Sequence, residues 1–168
     1  MKIMICNETD SDIQAIIENA KAAFENHPYS AGTEQFIAGT LRVANVLTIS
    51  LVAEVEGKAL GHAPVSPVIM SDGRPEWYGL GPISVLPGFQ KRELGETLMD
   101  EGLSLLKNRG ARGCALVGDP GYYKRFGFRN DPELGCEGGP PENVHFLPFG
   151  KNGVRSRVSF HPGFFVKG

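Results

Sequence analysis

The spacing of apolar residues predicts strands and helices in alternation. Lys2 to Cys6 is a short apolar run that predicts a strand. Thr9, with Asp12 three residues later, resembles a capping box, and apolar residues then recur at helical spacing as far as Phe24. A strand followed by an amphipathic helix is therefore expected at the start of the chain.

A second helix and a hairpin are expected next. Residues 33 to 44 have a helical apolar face, although Gly39 weakens the helix by about 1 kcal/mol. β-Branched residues alternate from Leu47 to Glu56, and a turn at Gly57-Lys58 leads into a strand from Ala59 to Met70. These two strands should pair with each other.

Proline and glycine predict irregular strands after residue 63. Pro64 and Pro67 lack the N–H that a sheet uses, so their strand should be bulged, at an edge, or interrupted near residues 64–67. The next apolar stretch, residues 77–86, contains Gly79, Gly81 and Pro82. We expect a strand with an irregular middle and an approachable backbone.

The rest of the chain predicts two helices and three strands. A helix should run from about Gly95 to Arg109 and stop at Gly110. A buried strand at residues 114–117 precedes a short helix that Asp119 caps, that Pro120 begins and that ends at Gly127. Strands at 144–149 and 154–160 should form a hairpin across a four-residue connection. We find no repeat or linker and expect a single domain over residues 1–168.

Composition narrows the class of protein. The chain has 168 residues, a net charge of −2, 41% hydrophobic residues and 21% charged residues, which is typical of one soluble globular domain. The longest uncharged stretch, Trp77 to Gln90, is 14 residues, whereas a membrane-spanning helix needs about 20. The N-terminus does not resemble a secretory or transit peptide. We expect a cytoplasmic protein with no membrane partner.

The distribution of charged residues and cysteines argues against nucleic-acid-binding and disulfide-rich proteins. Residues 1–106 carry 7 basic and 14 acidic side chains, and residues 107–168 carry 10 basic and 5 acidic ones. The basic charges are scattered, so no nucleic-acid partner is expected, although an anionic small molecule stays possible. Three cysteines at long spacings indicate reduced thiols. The histidines have no metal-ligand spacing, so we expect no metal.

Two segments, taken with the element order, carry a family resemblance. Residues 77–82 read Trp-Tyr-Gly-Leu-Gly-Pro, and residues 118–128 read Gly-Asp-Pro-Gly-Tyr-Tyr-Lys-Arg-Phe-Gly-Phe. The chain resembles the GNAT N-acetyltransferase superfamily, in particular a small bacterial branch. The resemblance covers nearly the whole chain. It implies an α/β fold, with a mixed twisted sheet of about seven strands, about four helices on both faces, and acetyl-CoA as co-substrate.

The resemblance also implies a pyrophosphate-binding loop that continues to Glu96. The loop reads Gln90-Lys91-Arg92-Glu93-Leu94-Gly95. Backbone N–H groups entering a helix would bind the anion. Glu93 stands where the family usually has glycine, so we expect weakened but not abolished acetyl-CoA binding, with added strain if the position needs a positive φ. Taken alone, this loop would be read as an ordinary polar connection.

In the family, pantetheine lies between two diverging strands. The corresponding backbone groups here are those of Ile83, Ser84 and Val85. Tyr123 matches the family tyrosine that contacts the sulfur and can protonate the departing thiolate. A role as a core aromatic residue is equally open for Tyr123. Tyr122 lies about 100° away around a helix and is expected to pack or to line the acceptor side.

No general base is assigned from the sequence. No acidic residue lies between Trp77 and Val85, and Glu76 and His62 are left without a role. The expected function is acetylation of a primary amine, in a small molecule or a peptide, by direct attack on acetyl-CoA. The alternative is a non-catalytic acyl-CoA-binding or protein-interaction domain on the same fold. From family habit, a homodimer is possible, with the last strands as contact surface.

Overall fold

A computed structural model describes residues 2–25, 34–89, 93–118, 120–130, 144–150 and 158–160. The strands are β1 (Ile3–Asn7), β2 (Ile49–Val55), β3 (Lys58–Met70), β4 (Trp77–Leu80), β5 (Ser84–Val85), β6 (Gly113–Val117), β7 (Arg129–Asn130), β8 (Val144–Pro148) and β9 (Val158–Phe160). The helices are α1 (Ile13–Phe24), α2 (Glu34–Val43), α3 (Leu94–Asn108) and α4 (Pro120–Tyr123), with 3₁₀ turns at Asp10–Asp12 and Lys124–Phe126.

The strands form one mixed sheet, as the sequence predicts. Their order is β1-β2-β3-β4-β6-β8-β7, and β5 and β9 both pair with β3. The β4–β6 pair is parallel and the other described pairs are antiparallel. The two strands beyond the expected seven are the two-residue strands β5 and β7.

Helices cover both faces of the sheet. Leu51 of β2 packs in one core cluster with Leu98 of α3, whereas the next residue along β2, Val52, packs with Ile16 of α1 and Ala38 of α2. Successive side chains of a strand point to opposite faces, so α3 covers one face and α1 and α2 cover the other. The expected arrangement of helices is confirmed.

The predicted ends of the helices can be compared where the chain is described. The Thr9 N–H donates to Asp12 Oδ2 at 2.8 Å, and the Asp12 N–H donates to the Thr9 carbonyl at 2.9 Å, which begins the first helical segment as expected. Gly127 ends the last 3₁₀ turn at φ 95°, a conformation that favours glycine. The predicted stop at 26–28 and the predicted caps Thr33 and Asp119 lie outside the described residues.

Of the outcomes expected near Pro64 and Pro67, an interruption of their strand is wrong, whereas an edge position is found at Pro67. β3 continues through both prolines, and the break is in its partner, between Leu80 and Ser84. The Gly81 N–H donates to the Pro64 carbonyl at 2.9 Å, so Pro64 faces this break and needs no N–H there. Pro67 lies past Val65, the last β3 residue paired with β2.

The predicted C-terminal hairpin is also wrong. β8 pairs with β6 and β7, whereas β9 pairs with Val68–Met70 of β3. The physical reason is packing: a Cβ on Gly79 would lie 2.8 Å from the Phe160 ring, so β9 closes over a strand position that only glycine leaves open. The side chains of Val158 and Phe160 are buried in this core.

Three findings concern cysteines, metals and membranes. Cys6 and Cys114 are free thiols, and Cys136 lies outside the described residues. No cluster of three or more His, Cys, Asp or Glu side chains that could hold a metal ion occurs in the described ranges. Among those same ranges, no helix is long and apolar enough to span a bilayer.

Candidate functional site

The sheet splits at its centre. β4 pairs with β6 from Trp77 to Gly79, but β5 pairs with β3 alone among the described strands. The end of β6, Leu116 and Val117, pairs with β8 on its other edge. Gly81, at φ 125°, carries the chain from β4 to β5 in a conformation that L side chains rarely adopt. A gap therefore opens between β5 and the end of β6, where the resemblance implies pantetheine.

The peptide groups of Val85 are directed into this gap. The Leu86 N–H donates to the Leu60 carbonyl at 2.8 Å, and Val85 and Ser84 lie opposite Gly61 and His62. Hydrogen-bonded and non-hydrogen-bonded pairs alternate in an antiparallel ladder, so Val85 turns its N–H and C=O away from β3 while Ser84 turns its own towards β3. Of the three residues expected to bind pantetheine, Val85 thus has the suitable direction.

Ser84 is placed differently from Val85. Its side chain is buried, and the Oγ atom has no hydrogen-bond partner among the described residues. Ile83 comes before β5 and packs against the core that α3 covers. The backbone of Ser84 is used by the sheet, so any contact it makes with a ligand would come from its hydroxyl.

The N-terminus of α3 adjoins the gap. A Cβ on Gly95 would lie 3.9 Å from Val85 Cγ2, so the first turn of α3 packs directly on β5. The first N–H groups of a helix have no acceptor within the helix, and this end of the helix dipole is positive. This is the physical requirement for binding a pyrophosphate.

Glu93 starts α3 without backbone strain. Its φ is −72° and its ψ is 1°, so the positive φ considered from the sequence does not occur. Its carbonyl accepts the Thr97 N–H at 2.9 Å and the Thr97 hydroxyl at 2.7 Å. The charge of Glu93 is then the remaining reason to expect weakened anion binding. Gln90, Lys91 and Arg92 lie outside the described residues.

Protein contacts occupy the side chains of the first helical turn. Leu94 is fully buried, and Glu96 forms an ion pair with Arg125, which follows α4. A Cβ on Gly95 would lie 2.9 Å from the Tyr122 hydroxyl, so the missing side chain makes room for a tyrosine. An anion at this helix end would therefore meet backbone N–H groups rather than these side chains.

Tyr122 packs, as expected, and its hydroxyl lies beside Gly95 in the first turn of α3. Its ring contacts Phe126, and the Arg125 guanidinium lies 5.1 Å from the ring centre. Burial, with a further contribution from the Glu96 carboxylate, raises the pKa of the Tyr122 hydroxyl. Tyr122 thus remains a neutral hydroxyl beside the first turn of α3.

Tyr123 lies at the end of β6. A Cβ on Gly118 would be 2.5 Å from Tyr123 Cε2, so the ring rests on a backbone position that only glycine provides. Phe128 and His145 pack around the ring at centroid distances of 6.3 and 6.2 Å. His145 Nε2 lies 3.1 Å from the Gly118 carbonyl oxygen. These contacts hold Tyr123 in one orientation at the rim of the gap.

The structure adds partners that sequence patterns do not reveal. Arg125 and Glu96 are 29 positions apart, and no spacing rule pairs them. His145 lies near Tyr123 only because β8 pairs with β6. The sequence pointed to Arg125 only because it lies in the family-like segment Tyr-Tyr-x-Arg-Phe-Gly-Phe.

The two residues considered as bases have structural contacts. His62 is 2% exposed, and its Nε2 lies 2.7 Å from Ser50 Oγ. Glu76 is exposed, its Oε2 is 3.4 Å from Arg112 Nε, and its carbonyl accepts the Arg112 N–H. Neither contact brings a base into the gap.

A mixed sheet that splits beside a helix N-terminus, with a tyrosine held at the rim, defines a protein of the acyl-CoA N-acyltransferase type. Residues 5–130 match the profile of the family described as "Acetyltransferase (GNAT) domain". This match covers well over half of the chain. The protein therefore belongs to the GNAT acetyltransferase family.

Similar proteins agree with this assignment. The Escherichia coli (strain K12) protein named "Uncharacterized N-acetyltransferase YhbS" is 32% identical over 143 residues, covering 81% of this chain and 86% of that protein. A Brucella melitensis GNAT family acetyltransferase in complex with acetyl-CoA is 40% identical, with a TM-score of 0.84 over 97% of this chain and 98% of the other. The structure of Escherichia coli YhbS in complex with CoA has a TM-score of 0.87 at 28% identity, over 100% and 94% of the two chains.

Proposed function

We propose that this protein is an N-acetyltransferase that moves the acetyl group of acetyl-CoA to a primary amine by direct attack. The observation that carries the proposal is the gap between β5 and β6, which adjoins the first turn of α3 and has the Val85 peptide groups directed into it. The acetyl-CoA and CoA complexes of the Brucella melitensis and Escherichia coli relatives support the choice of co-substrate.

Different residues around the gap would bind different parts of acetyl-CoA. The N–H groups of Leu94, Gly95 and Glu96 stand at the positive end of α3 and would donate hydrogen bonds to the pyrophosphate, and Gln90, Lys91 and Arg92 would contribute further contacts. The backbone of Val85, with Ile83 beside it, would hold the pantetheine arm in an extended conformation. Bound in this way, the thioester would lie near the point where β4 and β6 separate.

The acetyl group would then pass to the amine in one addition and one elimination. An uncharged amine attacks the thioester carbonyl carbon and forms the C–N bond, the C–S bond breaks, the nitrogen releases one proton to solvent, and the thiolate that leaves takes up one proton. Tyr123 can donate a proton to the leaving sulfur. Because tyrosine has a pKa near 10 and a thiol near 8.5, this transfer is uphill by roughly 2 kcal/mol, so Tyr123 assists departure rather than dominating the rate.

Calorimetric titration of acetyl-CoA into the purified protein tests the co-substrate. Micromolar binding, followed by acetylation of spermidine, a lysine peptide or a peptide with a free N-terminus, is the expected result. Binding without transfer to any of these amines would favour the alternative, an acyl-CoA-binding module on the same fold. Absence of binding would overturn the acetyl-CoA proposal itself.

A further inference from the structure

A cavity of about 570 Å³ lies at the other end of α3. Its walls come from Leu105, Asn108 and Arg109 at the C-terminal end of that helix, and from residues 7–8 and 47–50 at neighbouring ends of β1 and β2. This volume falls within the range of small-molecule pockets, roughly 300 to 1,000 Å³. A helix rises about 1.5 Å per residue, so Arg109 is roughly 20 Å from Leu94, and the cavity is separate from the proposed acetyl-CoA site.

The floor of the cavity is a hydrogen-bonded polar cluster. Arg42 Nε and Nη2 each donate to the Glu8 carboxylate at 2.8 Å, and Ser50 Oγ also contacts that carboxylate. Partial burial acts to raise the pKa of Glu8, but the neighbouring His62, Arg42 and Ser50 side chains more than offset it, and the pKa is strongly lowered. Glu8 is therefore an anion that can only accept hydrogen bonds.

Because the Glu8 carboxylate can only accept, the direction of each hydrogen bond in this cluster is determined. Ser50 has one hydroxyl proton, which it must donate to the Glu8 carboxylate. Ser50 Oγ must then accept from His62 Nε2, which lies 2.7 Å away. Burial lowers the pKa of His62, so the ring is neutral and carries its proton on Nε2. The hydrogen bonds among these four side chains thus satisfy one another, and the floor has no net charge. Each of the four side chains comes from a different part of the fold, which holds the floor in place.

The rim of the cavity differs from the floor. Within the described part of the chain, the side-chain amides of Asn7, Asn45 and Asn108 have no hydrogen-bond partner, and the Arg109 guanidinium has neither a hydrogen bond nor an ion pair. The carbonyls of residues 105–107 accept N–H groups of residues 109–111, so Arg109 meets only the diffuse negative end of the helix dipole and no carboxylate of the described residues. The cavity therefore presents one unpaired cation beside three amides.

We propose that this cavity binds a small carboxylate-bearing molecule. Arg109 offers the planar donor pair that a carboxylate fits, and charge-assisted bonds of this kind are about twice as strong as neutral ones. Asn45 and Asn108 would hold a second polar group of the ligand. Leu47 and Leu105 provide apolar walls for the carbon chain between the two groups. A neutral polyol would leave the guanidinium unpaired, and a cation would be repelled by it.

An NMR titration with succinate, L-glutamate and citrate tests this site without requiring acetyl-CoA. Saturable shift changes are expected in residues 45–50 and 105–109. Succinamide, which has the size of succinate but no charge, should bind at least about tenfold more weakly. Arg109→Gln should weaken carboxylate binding by a similar factor, whereas Arg112→Gln, outside the cavity, should leave it unchanged.

Two further measurements separate binding from folding. Asn45 has a φ of 60°, so Asn45→Gly keeps the backbone conformation while removing the amide, and a several-fold loss of affinity is expected. Acetyl-CoA titration of Arg109→Gln should match the native protein. Absence of saturable shifts with all three carboxylates, equal binding of succinamide, or unchanged binding by Arg109→Gln would each overturn the proposal.

Discussion

The ring and the hydroxyl of Tyr123 have different roles. The ring packs over Gly118 and beside Phe128, so Tyr123→Phe should fold normally. If the hydroxyl protonates the leaving sulfur, kcat for amine acetylation should fall by about tenfold to a hundredfold, with little change in acetyl-CoA affinity. Steady-state release of free thiol measures this. Full turnover by Tyr123→Phe would remove the catalytic role.

Glu93 affects the site through its charge and not through its backbone. A carboxylate about 4 Å from a phosphate in water costs about 1 kcal/mol, so Glu93→Gln should bind acetyl-CoA up to about fivefold more tightly. The gain should shrink at high ionic strength, because salt screens exposed charges. Calorimetry at two salt concentrations checks this, with Glu101→Gln, further along α3, as the matched control. Equal effects of the two variants would contradict a local repulsion.

At the scale of elements, α3 contacts the segment from α4 to residue 126 at Gly95 and at Glu96. Arg125 binds Glu96 of α3 and lies over Tyr122, whose hydroxyl occupies the space beside Gly95. The N-terminal end of α3, the proposed pyrophosphate site, therefore packs against the segment that carries Tyr123. A change at this contact should affect stability and acetyl-CoA binding together.

Gly95→Ala tests this coupling. The new Cβ would lie 2.9 Å from the Tyr122 oxygen, so we expect a loss of about 1 to 3 kcal/mol in stability and weaker acetyl-CoA binding. Tyr122→Phe removes that oxygen, and the double variant should recover much of both losses in a double-mutant cycle. Gly39→Ala is the control, because its nearest neighbour is 4.0 Å away and alanine favours a helix. Additive losses in the double variant would contradict the contact.

At the scale of the whole molecule, the Glu8 cluster joins the residue that follows β1 to Ser50 of β2, His62 of β3 and Arg42 of α2. The pKa of the Glu8 carboxyl is lowered from 4.5 in the folded state. The stability that this carboxylate contributes is therefore complete above pH 4.5 and is lost progressively as the pH falls below 4.5. His62 has a pKa below 6.5, so protonation of the unfolded chain also favours unfolding as the pH falls below 6.5. Acid should therefore weaken the centre of the fold.

Glu8→Gln isolates the carboxylate contribution. Denaturant unfolding at pH 7 should show a loss of about 2 to 3 kcal/mol relative to the native protein. The difference in the free energy of unfolding should narrow between pH 4.5 and pH 3, because Glu8 is protonated there in the unfolded chain but stays ionised in the folded protein, which favours unfolding. Glu18→Gln, at an exposed position of α1, serves as the control. A difference that stays constant between pH 7 and pH 3 would contradict the lowered pKa.

Much of the element order could be predicted because it depends on local chemistry. Apolar spacing and the Thr9–Asp12 contact begin α1, Pro120 begins α4, and Gly127 ends the following turn. The irregular middle of residues 77–86 also follows from its glycines and Pro82. The candidate site is only partly predictable, because the direction of the Val85 peptide depends on its register with β3.

The amino-acid order alone predicted an α/β chain, because periodicity and turn chemistry act over a few residues, and its motifs carried the resemblance to the GNAT family that implies a pyrophosphate-binding loop and a functional tyrosine. Tertiary structure decided which strands pair, since partner choice depends on packing between distant residues such as Gly79 and Phe160. It alone joined Glu8, Arg42, Ser50 and His62 below a cavity. Burial and long-range contact, which no local pattern encodes, set the charges and proton positions of that cluster.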